Sequence, residues 1–320
     1  MAGRPGYLTL PIFSVLAAIG YVYYTTVFVA VARWLGLATA AGVANAAAFT
    51  ALAAACVATY TVAVCRDPGR VPPDFVPDVE DAESTVHEIK RKGGDLRYCQ
   101  KCCHYKPPRA HHCRVCKRCV LKMDHHCIWI NNCVGHENYK IFLVFVLYAV
   151  IASFYSMILI IGSIVHSVPK DEQAGGNSSR TSLIICGVIL CPLALALAVL
   201  LGWHIYLIVQ NKTTIEYHEG VRAMWLAGKG GDLYHHPYDL GVYENLISVL
   251  GPNIFCWLCP VLNSIGNGLR FRTSYDIPVS KPPILMYDTL PRLEPFLGLQ
   301  ASNSTSKMRV ELQRIHNAKE

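Results

Sequence analysis

The feature that most constrains the fold of this chain is a set of four long stretches without a charged residue. Only 16% of the 320 residues are charged, whereas a soluble domain is usually closer to about a quarter charged. A helix needs about 20 apolar residues to cross the hydrocarbon core of a bilayer. The four stretches therefore predict membrane-spanning helices at about Leu10–Ala32, Val43–Val64, Ile141–His166 and Leu183–Val209.

The basic residues indicate how these helices are oriented. Of the 29 Lys and Arg residues, 14 lie between Arg66 and Lys140 and 11 lie in the tail from Gln210. Cytoplasmic loops carry an excess of Lys and Arg, so both termini and the large central loop are expected to face the cytosol. The net charge of +7 then fits a protein face that lies against anionic lipid, and no nucleic-acid partner is predicted.

A fifth uncharged stretch, Leu246–Leu269, leaves two possibilities for the side of the membrane on which the C-terminal tail lies. Gly251, Pro252 and Pro260 interrupt this stretch. The interruptions favour interfacial or re-entrant helices at the membrane surface. The alternative is a fifth span, which would place the tail on the other side of the membrane.

The central loop is rich in potential metal ligands. Eight of the 14 cysteines lie between Cys99 and Cys133. The cytosol is reducing, so a disulfide framework is not expected there, whereas two residues between cysteines let both thiolates bind one ion. Eight ligands would make two closed Cys3His sites: Cys99, Cys102, His112, Cys113, Cys116, Cys119, His126 and Cys133. Such sites favour structural zinc, and an iron–sulfur cluster is the alternative.

Three residues of the same segment remain once those ligands are set aside: Asp124, His125 and Cys127. A free thiol has a pKa of about 8.5, so only a small fraction is thiolate at neutral pH. A neighbouring imidazole, itself oriented by a carboxylate, can accept the thiol proton and activate the nucleophile. The residues alone leave two interpretations, a reactive Cys127 or a redundant thiol beside a surface histidine.

The arrangement resembles the cysteine-rich domain of the DHHC protein S-acyltransferases, also called palmitoyltransferases. From Cys99 to Cys133 the pattern is Cys-x2-Cys-x9-His-Cys-x2-Cys-x2-Cys-x4-Asp-His-His-Cys-x5-Cys. Three motifs outside the domain are similar to motifs of the same family: Asp67-Pro68-Gly69, Thr213-Thr214-Ile215-Glu216, and His236-Pro237-Tyr238 through Asn245. The resemblance covers most of the chain except its first residues and the tail beyond about Tyr275.

The resemblance implies a division of ligands and roles that spacing alone does not provide. One zinc ion would be bound by Cys99, Cys102, His112 and Cys119, and the other by Cys113, Cys116, His126 and Cys133. Cys127 would take the acyl chain from acyl-CoA as a thioester and pass it to a protein cysteine, with Asp124 as orienter and His125 as base. The supporting residues would be Thr214 against Asp124, Glu216 in the same motif, Asn245 in the C-terminal element, and Trp129 at the acyl entrance.

The fold expected is therefore an α-helical integral membrane protein with four transmembrane helices. A small, irregular β-hairpin domain with two zinc ions, at about 97–140, would occupy the cytosolic loop between helices 2 and 3. The expected parts are residues 1–66 with two spans, the loop 67–140, residues 141–209 with two more spans, and a cytosolic region 210–320.

The resemblance also implies an activity and a location. The chain is expected to transfer palmitoyl groups from palmitoyl-CoA to proteins with membrane-proximal cysteines and to carry the acyl group itself during the reaction. The Golgi is the expected compartment, ahead of the endoplasmic reticulum and the plasma membrane. The alternative function is a zinc-binding membrane adaptor without catalysis, which needs only the eight ligands. An ion transporter fits poorly because the predicted spans contain no acidic residue.

Overall fold

The computed structural model describes residues 9–77, 97–166, 176–221, 236–259 and 265–276, which belong to one compact unit, Met1–Ile277. Four long helices carry the uncharged stretches: α1 Leu10–Trp34, α2 Ala40–Cys65, α3 Tyr139–His166 and α4 Gly176–Val209. Each helix is long and apolar enough to cross a membrane. The prediction of four spans is confirmed.

The helices pack around α3, which contacts α1, α2 and α4. Where α1 meets α3, the hydroxyl groups of Thr26 and Ser156 form a buried hydrogen bond of 2.6 Å. Burying a hydroxyl without a partner is unfavourable, so this pair fixes how the two helices face each other. Thr26 lies in a π-helical segment of α1, Thr25–Val31.

At the end of the helix bundle opposite the central loop, α1 and α3 lie in close contact. The ring of Trp34 stacks on His166, with 5.4 Å between ring centroids. The same ring lies against Gly162 of α3, where an added Cβ would overlap it. A larger residue at this position of α3 would therefore force the Trp34 ring to move.

Between α2 and α3 the chain forms three short antiparallel hairpins. Their strands are β1 Tyr98–Cys99, β2 His104–Tyr105, β3 His111–Cys113, β4 Arg118–Val120, β5 His125–Cys127 and β6 Asn132–Val134. Isolated hairpins are marginally stable at best in water, so this domain needs another source of stability. The expected Cys-rich domain with strand pairs between helices 2 and 3 is confirmed.

The segment that follows α2 fastens this domain to the helices. The carboxylate of Asp67 accepts hydrogen bonds from the Gly69 N–H at 3.0 Å and from the Arg118 guanidinium at 2.7 Å. The carbonyl of Gly69 accepts the Leu121 N–H at 3.0 Å. Gly69 has a φ of +100°, a region that favours glycine.

The C-terminal region contains a helical segment at 214–221 and a short helix, α5 Val242–Leu250. Helix α5 has only nine residues, whereas a span needs about 20. Beyond it, the chain runs beside the start of α3, because Lys140 donates to the carbonyl of Cys256 at 2.8 Å. Within the described part of the stretch 246–269 there is no helix of spanning length.

Candidate active site and zinc centres

Among the described residues, potential metal ligands converge at three positions: two Cys/His sets within the hairpin domain, and a third group, Asp124, His125 and His204, between this domain and α4. The first set is Cys99, Cys102, His112 and Cys119, and the second is Cys113, Cys116, His126 and Cys133. In the first set the Nδ1 atom of His112 lies 3.2–3.9 Å from the three sulfur atoms. In the second set the Nδ1 atom of His126 lies 3.4–3.7 Å from its three sulfur atoms.

These distances fit tetrahedral zinc. With Zn–S bonds of about 2.3 Å and Zn–N bonds of about 2.0 Å, the nitrogen and sulfur corners of a tetrahedron are about 3.5 Å apart. Thiolates and imidazoles are the ligands that zinc prefers, and four protein ligands leave no open position for a reacting water. Both sets therefore fit structural zinc, and they are the sets that the family resemblance implies.

The hairpin register explains how each set comes together. His112 lies directly opposite Cys119, and His126 lies directly opposite Cys133. Side chains of directly opposed residues are close, with Cβ atoms about 4.5–5.5 Å apart, so one ion can bind both. The other two ligands of each set come from the preceding hairpin, one from the end of its first strand and one from its turn. A zinc ion bound by either set would thus tie two successive hairpins together.

The third hairpin separates the two adjacent histidines. Successive side chains of a strand point to opposite faces, so His125 and Cys127 share one face of β5 and His126 takes the other. His126 belongs to the second zinc set. Cys127 packs in an apolar cluster with residues of the membrane helices, among them Tyr60 and Phe142.

Asp124, which precedes β5, is fully buried and accepts three hydrogen bonds. The N–H of Thr214 donates to Oδ1 at 2.9 Å, and the hydroxyl of Thr214 donates to Oδ2 at 2.8 Å. The Nδ1 atom of His125 lies 2.7 Å from the same Oδ2. Burial raises the pKa of Asp124, but the hydrogen bond and charge of His125, the charge of His204 and the N–H of Thr214 outweigh it, so the pKa lies below its usual value.

His125 is held between Asp124 and Cys127. Burial lowers the pKa of His125, but the hydrogen bonds with Asp124 and Cys127 outweigh it and raise the pKa to about 9. An imidazole in this environment is a stronger base than a free one. Asp124 engages Nδ1, so the other ring nitrogen, Nε2, is the one that this carboxylate does not occupy.

Two residues that the sequence analysis did not single out complete the surroundings of His125. His204 of α4 is buried, and its ring centroid lies 5.8 Å from that of His125. The Nδ1 atom of His204 is hydrogen-bonded to the hydroxyl of Tyr139 at 2.9 Å. An ionisable residue within a membrane span is a functional candidate by default, and the lone His204 in the fourth stretch was the available signal.

For the acyltransferase activity that the sequence resemblance implies, removing the Tyr139 hydroxyl should slow acylation without unfolding the protein. In Tyr139→Phe the ring of His204 loses the partner that fixes its orientation beside His125. A hydrogen bond contributes about 0.5–1.5 kcal/mol, so we expect a roughly two- to tenfold lower single-turnover rate of acyl-enzyme formation. Tyr206→Phe is the matched control, because this tyrosine of α4 is exposed. Equal rates for both variants would contradict the role of the Tyr139–His204 pair.

Arg109 joins the hairpin domain to the segment after α4. Its guanidinium is buried and forms two hydrogen bonds of 2.7 Å with the carboxylate of Glu216. It also donates to the side chain of Asn211 at 3.1 Å and to the Asn211 carbonyl at 2.7 Å. The ring of Tyr238 covers its face, with 4.1 Å from Cζ to the ring centroid, a favourable cation–π geometry.

The partner carboxylate is ionised in this environment. Burial alone would raise the pKa of Glu216, but the charge and hydrogen bonds of Arg109 outweigh it and lower the pKa to about 2. The sequence motif pointed to Glu216 but not to Arg109, which precedes it by 107 residues. The segment after α4 is therefore held against the hairpin domain at two points, by Thr214 at Asp124 and by Glu216 at Arg109.

Breaking this ion pair should destabilise the protein strongly. Arg109→Gln leaves the carboxylate of Glu216 buried without a counter-charge, which typically costs about 3–5 kcal/mol. We expect a clear fall in the melting temperature of the purified protein in detergent. The double variant Arg109→Met/Glu216→Leu should recover most of the loss, since both charges are then gone. An Arg109→Gln protein as stable as the wild type would show that this ion pair does not hold the segment after α4 against the hairpin domain.

The remaining supporting residues occupy different parts of the site. Asn245 is fully buried and donates to the carbonyl of Val209 and to the carboxylate of Asp239, both at 2.7 Å. It thereby ties the C-terminal element to the end of α4. The side chain of Trp129 is 56% exposed, and its carbonyl accepts the hydroxyl of Tyr60 at 2.7 Å. Trp129 thus lies beside α2, next to Cys127.

Comparisons with known proteins agree with this geometry. Residues 92–221 match the family model described as DHHC palmitoyltransferase. The chain is 64% identical over 268 residues to "Probable protein S-acyltransferase 16" of Arabidopsis thaliana, covering 84% of this chain and 94% of the relative. It is 47% identical over 258 residues to "Probable protein S-acyltransferase 15" of the same plant, covering 80% of this chain and 99% of the relative.

A more distant animal protein is also similar to this chain. "Palmitoyltransferase ZDHHC3" of Rattus norvegicus is 33% identical over 208 residues, covering 62% of this chain and 67% of the relative. The similarity to the plant relatives spans most of both chains. Together with the membrane helices and the two Cys/His clusters, these matches lead to one conclusion: this chain belongs to the DHHC palmitoyltransferase family and is a membrane-embedded protein S-acyltransferase.

Proposed function

We propose that Cys127 is the nucleophile that carries the acyl group, with His125 as its base and Asp124 as the residue that orients His125. The observation that carries this proposal is the geometry of the third hairpin. There the Asp124–His125 hydrogen bond of 2.7 Å and the thiol of Cys127 lie apart from both sets of zinc ligands. A closed zinc site offers no position for chemistry, which leaves the reaction to these three residues.

The reaction then has two steps, each a transfer between thiols. The sulfur of Cys127 attacks the thioester carbonyl of a long-chain acyl-CoA while His125 takes the thiol proton. The carbon–sulfur bond to CoA breaks, and the departing CoA sulfur receives the proton from His125. In the second step the thiol of a protein substrate attacks the acyl-Cys127 thioester, and Cys127 leaves with the proton. Thioesters are exchanged for thioesters, so atoms and charges balance.

The surroundings of Cys127 support a long acyl chain as the group transferred. Each buried CH2 contributes about 0.8 kcal/mol, and Cys127 lies among apolar side chains that belong to the membrane helices, such as Ile141 and Val146. We infer that the donor is palmitoyl-CoA and that Trp129 lies at the entrance for the chain. The acceptors are protein cysteines that lie close to the membrane, because Cys127 cannot leave the bundle surface.

The two structural zinc ions, Thr214, Glu216 and Asn245 hold this arrangement in place in our proposal. The concentration of basic residues between Arg66 and Lys140 supports a cytosolic active site. We further propose a Golgi location, with the endoplasmic reticulum and the plasma membrane as the alternatives that imaging of a tagged protein would separate.

A burst of CoA release tests the two-step mechanism. When purified protein is mixed with palmitoyl-CoA and no acceptor, about one equivalent of free CoA per chain should appear rapidly, followed by slow turnover through hydrolysis. Adding a peptide with an N-terminal lipid anchor and one cysteine should restore rapid turnover. Direct transfer without an acyl-enzyme would release CoA only after the peptide is added. A zinc-binding adaptor would release none.

A further inference from the structure

The three hairpins of the Cys-rich domain are structural copies of one another at an interval of 14 residues. Cys99, Cys113 and Cys127 are each the last residue of the first strand, and each lies opposite the residue five positions later. The residues opposite them are His104, Arg118 and Asn132. Cys127 therefore occupies the backbone position that holds a zinc-ligand cysteine in the two preceding hairpins.

The turns follow the same interval. Cys103, Lys117 and Asn131 have φ values of 55°, 51° and 45°. Left-handed backbone is uncommon for residues other than glycine, so three such residues at equal spacing indicate one turn type built three times. In the first two hairpins this turn brings two cysteines to one ion: Cys99 with Cys102, and Cys113 with Cys116.

The third hairpin differs at one position of this turn. Where the first two have Cys102 and Cys116, the third has Ile130. The side chain of Ile130 is only 1% exposed and packs in the same apolar cluster as Cys127 and residues of α2 and α3. The hairpin thus keeps the turn of a zinc ligand pair but lacks its second thiol.

We propose that Ile130 keeps Cys127 out of metal coordination and so leaves its thiol available for acyl transfer. The inference rests on the proposed role of Cys127. If position 130 held a cysteine instead of isoleucine, it would form a Cys-x2-Cys pair with Cys127 beside His125. These three ligands suffice for a zinc site with one open position. Zinc bound there would occupy the thiolate that the reaction needs. An apolar residue also suits this turn because it faces the helices, whereas the other two turns face the next hairpin.

The test is Ile130→Cys in the full-length protein, with zinc content measured alongside acylation. We expect three zinc ions per chain instead of two, and a fall of about tenfold or more in acyl label on Cys127, because the metal holds its thiolate. The double variant Cys127→Ser/Ile130→Cys should return to two ions. Cobalt substitution provides a second readout, since a third thiolate-bound Co²⁺ adds sulfur-to-metal charge-transfer absorption.

Two controls separate metal capture from damage to the fold. Val115→Cys adds one thiol to the second hairpin at a position that is 60% exposed, and it should keep two ions and full acylation. Ile130→Ser leaves a cavity similar in size to that of Ile130→Cys but adds no thiolate. It should also keep two ions. An Ile130→Cys protein with two ions and wild-type acylation would overturn the proposal.

A measurement on the wild type keeps the proposal testable even if the variants do not accumulate. Wild-type protein incubated with excess zinc and then desalted should retain two ions. A third retained ion that is absent from Cys127→Ser would show that Ile130 does not exclude metal. The zinc count does not depend on the chemistry, so persistent acyl label on Cys127→Ser would count against Cys127 as the nucleophile and not against the metal inference.

Discussion

Cys127→Ser should lose the acyl-enzyme and keep both zinc ions. The hydroxyl of serine is far less acidic than a thiol, so His125 cannot generate an effective nucleophile there. Removing a nucleophile from a catalytic triad costs several orders of magnitude in rate, and we expect a fall of about a thousandfold or more. The measurement combines hydroxylamine-sensitive label from radioactive palmitoyl-CoA with zinc content, because Cys127 belongs to neither ligand set.

Cys103→Ser provides the matched control for this variant. Cys103 lies in the same domain, is exposed and stands outside both ligand sets. Its replacement should leave the acyl label and the zinc content at wild-type values. Hydroxylamine-sensitive label on Cys127→Ser at the wild-type level would show that another cysteine carries the acyl group.

Cys113→Ala should cost the protein a zinc ion and the folded state of its hairpin domain together. Structural zinc contributes about 10–16 kcal/mol to small metal domains, which exceeds the whole stability of many domains, about 5–15 kcal/mol. The three hairpins have few other sources of stability, since each pairs only two or three residues per strand. Acylation should disappear as well, because the second zinc set includes His126 and Cys133 on either side of Cys127.

Limited proteolysis and metal analysis measure both effects on the same sample. The three hairpins, from Tyr98 to Val134, should become susceptible to cleavage in Cys113→Ala and remain resistant in Cys103→Ala. A protected Cys113→Ala domain that still binds two zinc ions would refute the assignment of Cys113 as a ligand.

The sequence predicts those features that depend on local pattern. The four spans follow from the absence of charge over lengths that match a bilayer. The eight ligands follow from the spacing of cysteines and histidines, because a zinc knuckle forms within a few residues. The different positions of His125 and His126 follow from strand alternation, although the sequence alone does not show that this segment is a strand.

Features that depend on distant segments could not be predicted in this way. Arg109 is one of many basic residues in the loop, and only the folded chain brings it to Glu216. The pairing of Tyr139 of α3 with His204 of α4 joins two residues that are 65 positions apart in the sequence. Neither contact has a local sequence signature, because the packing of the membrane helices determines which side chains meet.

The contact between Asp124 and Thr214 has a consequence for the biogenesis of the enzyme. The two residues are 90 positions apart, and α3 and α4 lie between them in the sequence. A chain is synthesised from its N-terminus, so the hairpin domain emerges from the ribosome well before Thr214. Until both later helices are inserted, Asp124 lacks its two donors and His125 lacks a fixed carboxylate. If Asp124 and His125 have the roles proposed above, truncated or stalled chains that lack Thr214 would bind zinc without reacting with acyl-CoA, and activity would begin only once both later helices are inserted.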